Sequence, residues 1–205
     1  MNSAVPFLSR VWHWLTMPRE PVGYQPGQML KLVARDFRPY PCERLSLRCL
    51  SISLPQGTTV EVHEKATALF RSFVVCSHFY IQGVTGLQHP VRMKVRNGNV
   101  FGQGGIRFRC KAKNDDSQRL LAVLNCYPQI FTALEQLHFR QLNLWSEQGR
   151  WRLEIEHFAA SEVISQVPVE RRYQQLHHDQ RQQLLNVMQM FEQLMTRVAI
   201  EGVAA

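Results

Sequence analysis

Acidic residues are scarce in this chain of 205 residues. Sixteen aspartates and glutamates face 24 lysines and arginines, for a formal net charge of +8. Only four residues are aspartate: Asp36, Asp115, Asp116 and Asp179. Three of them fall where helices begin or end, so a buried triad aspartate is hard to place. The five cysteines (Cys42, Cys49, Cys76, Cys110, Cys126) form no C-x-x-C pair and lie near no paired-histidine motif. That spacing excludes a zinc-finger type of site. Cys49, Cys76 and Cys110 sit inside apolar runs, where a cysteine acts as a small hydrophobe, and reduced thiols point to a cytoplasmic setting. No stretch approaches the roughly 18 apolar residues of a membrane span. A secretory signal is not expected either: no positive charge precedes the first apolar segment, and Trp12, His13 and Trp14 interrupt it. Neither G-x-S-x-G nor H-E-x-x-H occurs. No catalytic residue, metal ligand set or cofactor is therefore expected.

Nothing resembling a Gly/Ser linker or a fixed-period repeat divides the periodic segments. The expected organisation is an N-terminal helix and Pro-rich connector over 1–27, followed by a single α+β domain over 28–205. Residues 6–17 have an apolar face at Leu8, Val11, Trp12 and Leu15. Docking on the chain's own domain is the first expectation for them, with peripheral membrane contact as an alternative. Residues 28–37 read as a helix with Leu30, Val33 and Ala34 inward. Residues 43–54 alternate, but the apolar parity switches between Cys49 and Leu50, which implies a β-bulge or a strand covered on both sides. A PQG turn joins this segment to a strand over 58–65. Residues 65–83 divide into a helical first half (Ala66, Leu69, Phe70, Phe73) and a β-branched, aromatic second half; one long strand is the alternative.

Helices are expected over 114–125, with Asp115 or Asp116 as N-cap, and over 127–137, with Pro128 in the first turn. Residues 139–158 form a hairpin turning at Gly149. The last helix runs from Asp179 to about Ile200, with Asp179 and Gln182 as its capping box and Leu184, Met188, Phe191, Met195 and Val198 as its apolar stripe. Strands joined by short turns, then helices, then strands imply a mostly antiparallel sheet with helices packed on one face and a long C-terminal helix.

The most distinctive stretch is VRMKVRNGNVFGQGGIRFRCKAK, residues 91–113. Val91, Met93 and Val95 oppose Arg92, Lys94 and Arg96, and Ile106, Phe108, Cys110 and Ala112 oppose Arg107, Arg109, Lys111 and Lys113. Paired as a hairpin, seven cations share one face. Like charges across a ladder repel, so compensation is needed. It comes either from Glu154 and Glu156 on a neighbouring strand or from an anionic partner. Arginine dominates the cations, 19 against five lysines, which suits bidentate contact with phosphate or carboxylate. The glycines match no phosphate-loop spacing and connect strand to strand, so NGNVFGQGG is a hairpin loop. His177, His178 and Asp179 read as a helix cap, His78 as a core histidine with one hydrogen bond, and Trp12, Trp14, Trp145 and Trp151 as packing residues.

GRWRLEIEHFAASEVISQVPVERRYQQL (149–176), followed by its Gln-rich helix, resembles the C-terminal part of a bacterial domain-of-unknown-function family, family 3156. The resemblance covers the last third of the chain and implies a bacterial cytoplasmic protein, with no catalytic residues to carry over. The functional expectation is a non-enzymatic binding or accessory protein. It would engage an acidic protein or a nucleic-acid backbone through Arg92, Lys94, Arg96, Arg107, Arg109, Lys111 and Lys113, with Arg171 and Arg172 extending the patch. The alternatives are a carrier of an apolar small molecule or lipid in a cavity between sheet and helices, and an enzyme of unrecognised type.

Overall fold

A computed structural model describes residues 21–97 and 105–203, with side chains to residue 199. Residues 6–18, and most of the connector between the two basic runs, lie outside the described residues. Four helices and nine strands are described: α1 (Gln28–Asp36), β1 (Cys42–Ser46), β2 (Cys49–Ser53), β3 (Thr59–Leu69), β4 (Ser72–Val84), β5 (Val91–Asn97), β6 (Ile106–Cys110), α2 (Asp115–Asn125), α3 (Pro128–Gln136), β7 (Phe139–Glu147), β8 (Arg150–Gln166), β9 (Val169–Gln174) and α4 (His178–Val203). The strands make one antiparallel sheet in the order β1-β2-β3-β4-β8-β7-β5-β6, with β9 also pairing β8.

Period-two alternation sorts each strand into two faces. The inner phase (Ile52, Val60, Val62, Phe79, Ile81, Leu142, Leu144, Leu153, Ile155) is at most 2% exposed and meets the helices. The 26-residue α4 lies against it through Leu184, Met188, Phe191, Met195 and Val198, all buried, as their helical spacing requires. Together with Phe37 and Phe79 these side chains fill the space between sheet and helices.

The parity switch at 49–50 falls inside β2, where Cys49, Leu50, Ser51 and Ile52 are all buried, so this strand is covered on both sides, one of the two alternatives expected. Leu47 and Arg48 turn the chain just before it, between β1 and β2, and the ladder register shifts between Arg44 and Ser46. One local expectation is corrected. Residues 65–75 contain no helix: Ala66 and Ala68 pair with Val75 and Phe73, and Phe70 with Arg71 forms a two-residue turn in which Arg71 has φ 57°. Phe70 is 88% exposed, so the helical spacing there served no buried face. β9 (VERRYQ) had no sequence signal, because none of its residues is buried.

Caps also moved. Asn114, not an aspartate, accepts the Ser117 N–H at 2.8 Å, while the Asp116 carboxylate accepts from the Gln88 and His89 backbone N–H groups. α4 starts at His178, and Gln180 Oε1 accepts the His177 N–H at 3.1 Å, so Asp179 and Gln182 form no capping box.

The longest strand explains how β9 joins the sheet. The Glu156 and Ser161 positions of β8 face His78 and Cys76 of β4, so residues 157–160 bulge out opposite Ser77 alone. Ala160 takes φ 54°, and His157 Nδ1 accepts the Ala159 N–H at 2.9 Å. Before this bulge β8 borders β7; after it, β9.

Candidate functional site

β5 and β6 pair with Lys94 opposite Arg109 and Arg96 opposite Arg107. Their inner residues Val91, Met93, Val95 and Ile106 are buried, which forces the alternate residues outward. Lys111 lies just past β6, where its N–H donates to the Arg92 carbonyl, and Lys113 follows in the turn before α2. All seven cations are exposed.

Glu154 and Glu156 do not compensate them. β7 stands between β5 and β8, pairing Asn143 with Lys94 on one side and Glu154 on the other. Two strand spacings, about 9–10 Å, therefore separate Lys94 from Glu154. The carboxylate is also fully engaged: Glu154 accepts from Tyr80 Oη (2.7 Å), Asn143 Nδ2 (2.7 Å) and His78 Nδ1 (2.9 Å). Glu156 takes Arg140 at 3.4 Å. Both strand glutamates are buried, 9% and 8% exposed. Burial pushes the Glu154 carboxyl up, but the hydrogen bonds from His78, Tyr80 and Asn143 prevail and hold it at about 2. Burial and the adjacent Glu154 push the Tyr80 hydroxyl up in turn.

Among the described residues, one of the seven cations has a carboxylate partner, Arg92 with Glu147 at 3.7 Å across an exposed pair. Arg171 and Arg172, expected to extend the patch, sit instead on β9. Arg171 grips Glu162 through Nε at 2.9 Å and a second nitrogen at 2.8 Å, and Arg172 pairs with Glu170 at 2.8 Å.

A surface pocket of about 330 Å³ opens in this region, lined by Arg92, Lys94, Lys111, Asn143, Trp145 and Glu147, with Met93 and Leu144 behind them. Trp145 lies directly across the ladder from Arg92. It is partly exposed rather than a core packing residue, and sequence reasoning missed it. The signal was available: alternation that turns Leu142 and Leu144 inward turns Asn143 and Trp145 outward. The pocket thus combines three cations, an amide and an indole face against one carboxylate.

No helix among the described residues is long and apolar enough to cross a membrane. The family model described as "Protein of unknown function (DUF3156)" matches residues 35–195. That match extends from the end of α1 into α4, well beyond the C-terminal third that carried the sequence resemblance. No curated protein and no solved structure matches the chain.

Proposed function

We propose that this chain, which belongs to the DUF3156 family of unknown function, is a cytoplasmic bacterial binding or accessory protein for an acidic partner. The contact surface is the outer face of β5–β6 with Trp145 beside it. One observation carries the reading: six exposed cations have no carboxylate partner among the described residues, and three of the seven border the same pocket. Guanidinium groups at Arg92, Arg96, Arg107 and Arg109 offer forked donors to phosphate or carboxylate oxygens. A single outward indole gives one stacking position, whereas base-reading sheets use several. Contact with the charged backbone or carboxylate surface of the partner is therefore favoured over base recognition.

Retention on heparin tests this. The double variant Arg107→Glu/Arg109→Glu elutes at markedly lower salt than wild type. A Lys31→Glu/Lys65→Glu variant, with the same change in net charge outside the hairpin, loses less. Binding to a nucleic-acid polyanion gives a log–log salt slope of about −4 to −6 if most of these cations meet phosphates. Equal losses in the two variants, or unchanged retention in the first, refute the assignment.

A further inference from the structure

On the other half of the same face, three side chains outside the basic hairpin bring their donor atoms together. Cys49 of β2 and His63 of β3 face each other across the ladder, and Glu61 lies two residues along β3 on the same side. Cys49 Sγ is 3.5 Å from His63 Nε2, and His63 Nε2 is 3.2 Å from Glu61 Oε2. All three donor atoms lie within 4.8 Å of one another. Zinc bonds of about 2.3 Å to sulfur and 2.0–2.1 Å to nitrogen or oxygen, in a tetrahedron, put neighbouring donors about 3.3–3.5 Å apart. Two of the three edges therefore already have the length that coordination needs. The third, between Cys49 and Glu61, is no longer than 4.8 Å and closes on binding by movement of the Glu61 side chain.

We propose that Cys49, Glu61 and His63 bind a borderline-soft divalent transition ion of the zinc class, with the fourth position open to solvent. A thiolate and a carboxylate neutralise the ion's two charges, and a neutral imidazole completes a mixed S/N/O set that hard ions such as magnesium do not select. On binding, the Cys49 thiol releases its proton to water as the sulfur–metal bond forms, and His63 Nε2 presents its lone pair. The ligands stand on two paired strands, so little order remains to be imposed. His63 and Glu61 side chains are 39% and 29% exposed, which leaves an approach from solvent while Cys49 is buried beneath them.

The surroundings bear on Glu61. Arg152 lies 3.7 Å from Glu61 Oε2 and 4.1 Å above the Tyr80 ring, and that ring meets His63 edge-on at 5.0 Å. Arg152 competes for the carboxylate charge but also fixes its direction. The competing arrangement is a hydrogen-bonded triad in which a His63 Nε2–H is shared between Glu61 and Cys49. A metal replaces that proton, so the two arrangements are chemically distinct. Sequence spacing concealed the set, because Cys49 and His63 are 14 residues apart and neither belongs to a ligand motif.

Cobalt(II) titration of the reduced full-length chain decides between them. The expected result is binding of about one equivalent, with a thiolate-to-cobalt charge-transfer band and the intense visible bands of four-coordinate cobalt, all displaced by zinc. Cys49→Ser abolishes the charge-transfer band, and Cys126→Ser keeps it. His63→Gln, at a more exposed position, weakens affinity by at least about tenfold while far-ultraviolet circular dichroism stays unchanged. Absence of the band in wild type, its survival in Cys49→Ser, or wild-type affinity in His63→Gln each overturns the site.

Discussion

Replacing Glu154 by glutamine removes one charge and almost no volume from the middle of the sheet. In the native chain the carboxylate meets three donors, His78, Tyr80 and Asn143, at 2.7–2.9 Å. They bring its pKa from the ordinary 4.5 to about 2. Each pKa unit is about 1.36 kcal/mol, so the ionised carboxylate contributes on the order of 3 kcal/mol to folding at neutral pH. The folded-state pKa is the depressed one. The contribution is therefore complete above pH 4.5, where the unfolded group also ionises, and disappears as pH falls through about 2. More than half of it is gone by about pH 3. Glutamine offers one acceptor oxygen and two N–H donors, which oppose the Asn143 amide unless that amide rotates. Urea denaturation at a series of pH values measures the effect. Glu154→Gln is expected to be about 3 kcal/mol less stable than wild type near pH 7, and the two curves should converge on acidification. A gap below about 1 kcal/mol, or one independent of pH, would show that the three hydrogen bonds do not act on a charge.

Two further outcomes follow from buried groups. Burial lowers the His157 imidazole to about 4, so it is neutral in the folded chain at neutral pH. The unfolded residue takes up a proton near 6.5 and the folded one near 4, so this group costs stability as pH falls from 6.5 to 4 and nothing above that window. An NMR titration of its ring carbon proton with a midpoint above 6 contradicts the burial argument. Gly27 has φ 80°, and a Cβ there would strike the Leu47 carbonyl oxygen. Its N–H donates to Glu64, which also accepts from Tyr24 at 2.6 Å. Gly27→Ala should destabilise by about 1–3 kcal/mol, read from the denaturation midpoint. A neutral effect would mean that the preceding connector repacks freely.

The elements legible from sequence were those whose pattern is local and complete. α4 shows its stripe over about four turns, β5 and β7 alternate cleanly, and the Gln148–Gly149 turn has positive φ at both residues. Errors arose where two elements shared one pattern. Alternation ran unbroken through the Leu47–Arg48 turn, and Ala66, Leu69, Phe70 and Phe73 happened to fall at helical intervals across a β-turn. β9, with no buried residue and no apolar alternation, offered nothing to find. In the candidate site the cations were legible because their phase is set by the apolar residues between them. Trp145 needed only the same rule applied to the next strand. Burial of Glu154 and pairing of Arg171 with Glu162 arise from strand order, which period alone does not determine.

The hairpin that carries the proposed function folds against its own charge. Lys94 opposite Arg109 and Arg96 opposite Arg107 each cost a few tenths to about 1 kcal/mol. Val91, Met93, Val95 and Ile106, all at most 7% exposed on the other side, each return about 1.5–3 kcal/mol. Burial wins, so the cationic face is already formed before any partner arrives. Its repulsion is relieved by whatever anion it meets. The same balance separates binding from folding in the charge-reversal variant. Glutamates at 107 and 109 would sit across from Arg96 and Lys94 and convert two repulsive pairs into attractive ones. Arg107→Glu/Arg109→Glu should therefore keep or raise its melting temperature while it loses retention. A variant that loses both would show that these arginines hold the sheet edge rather than a partner.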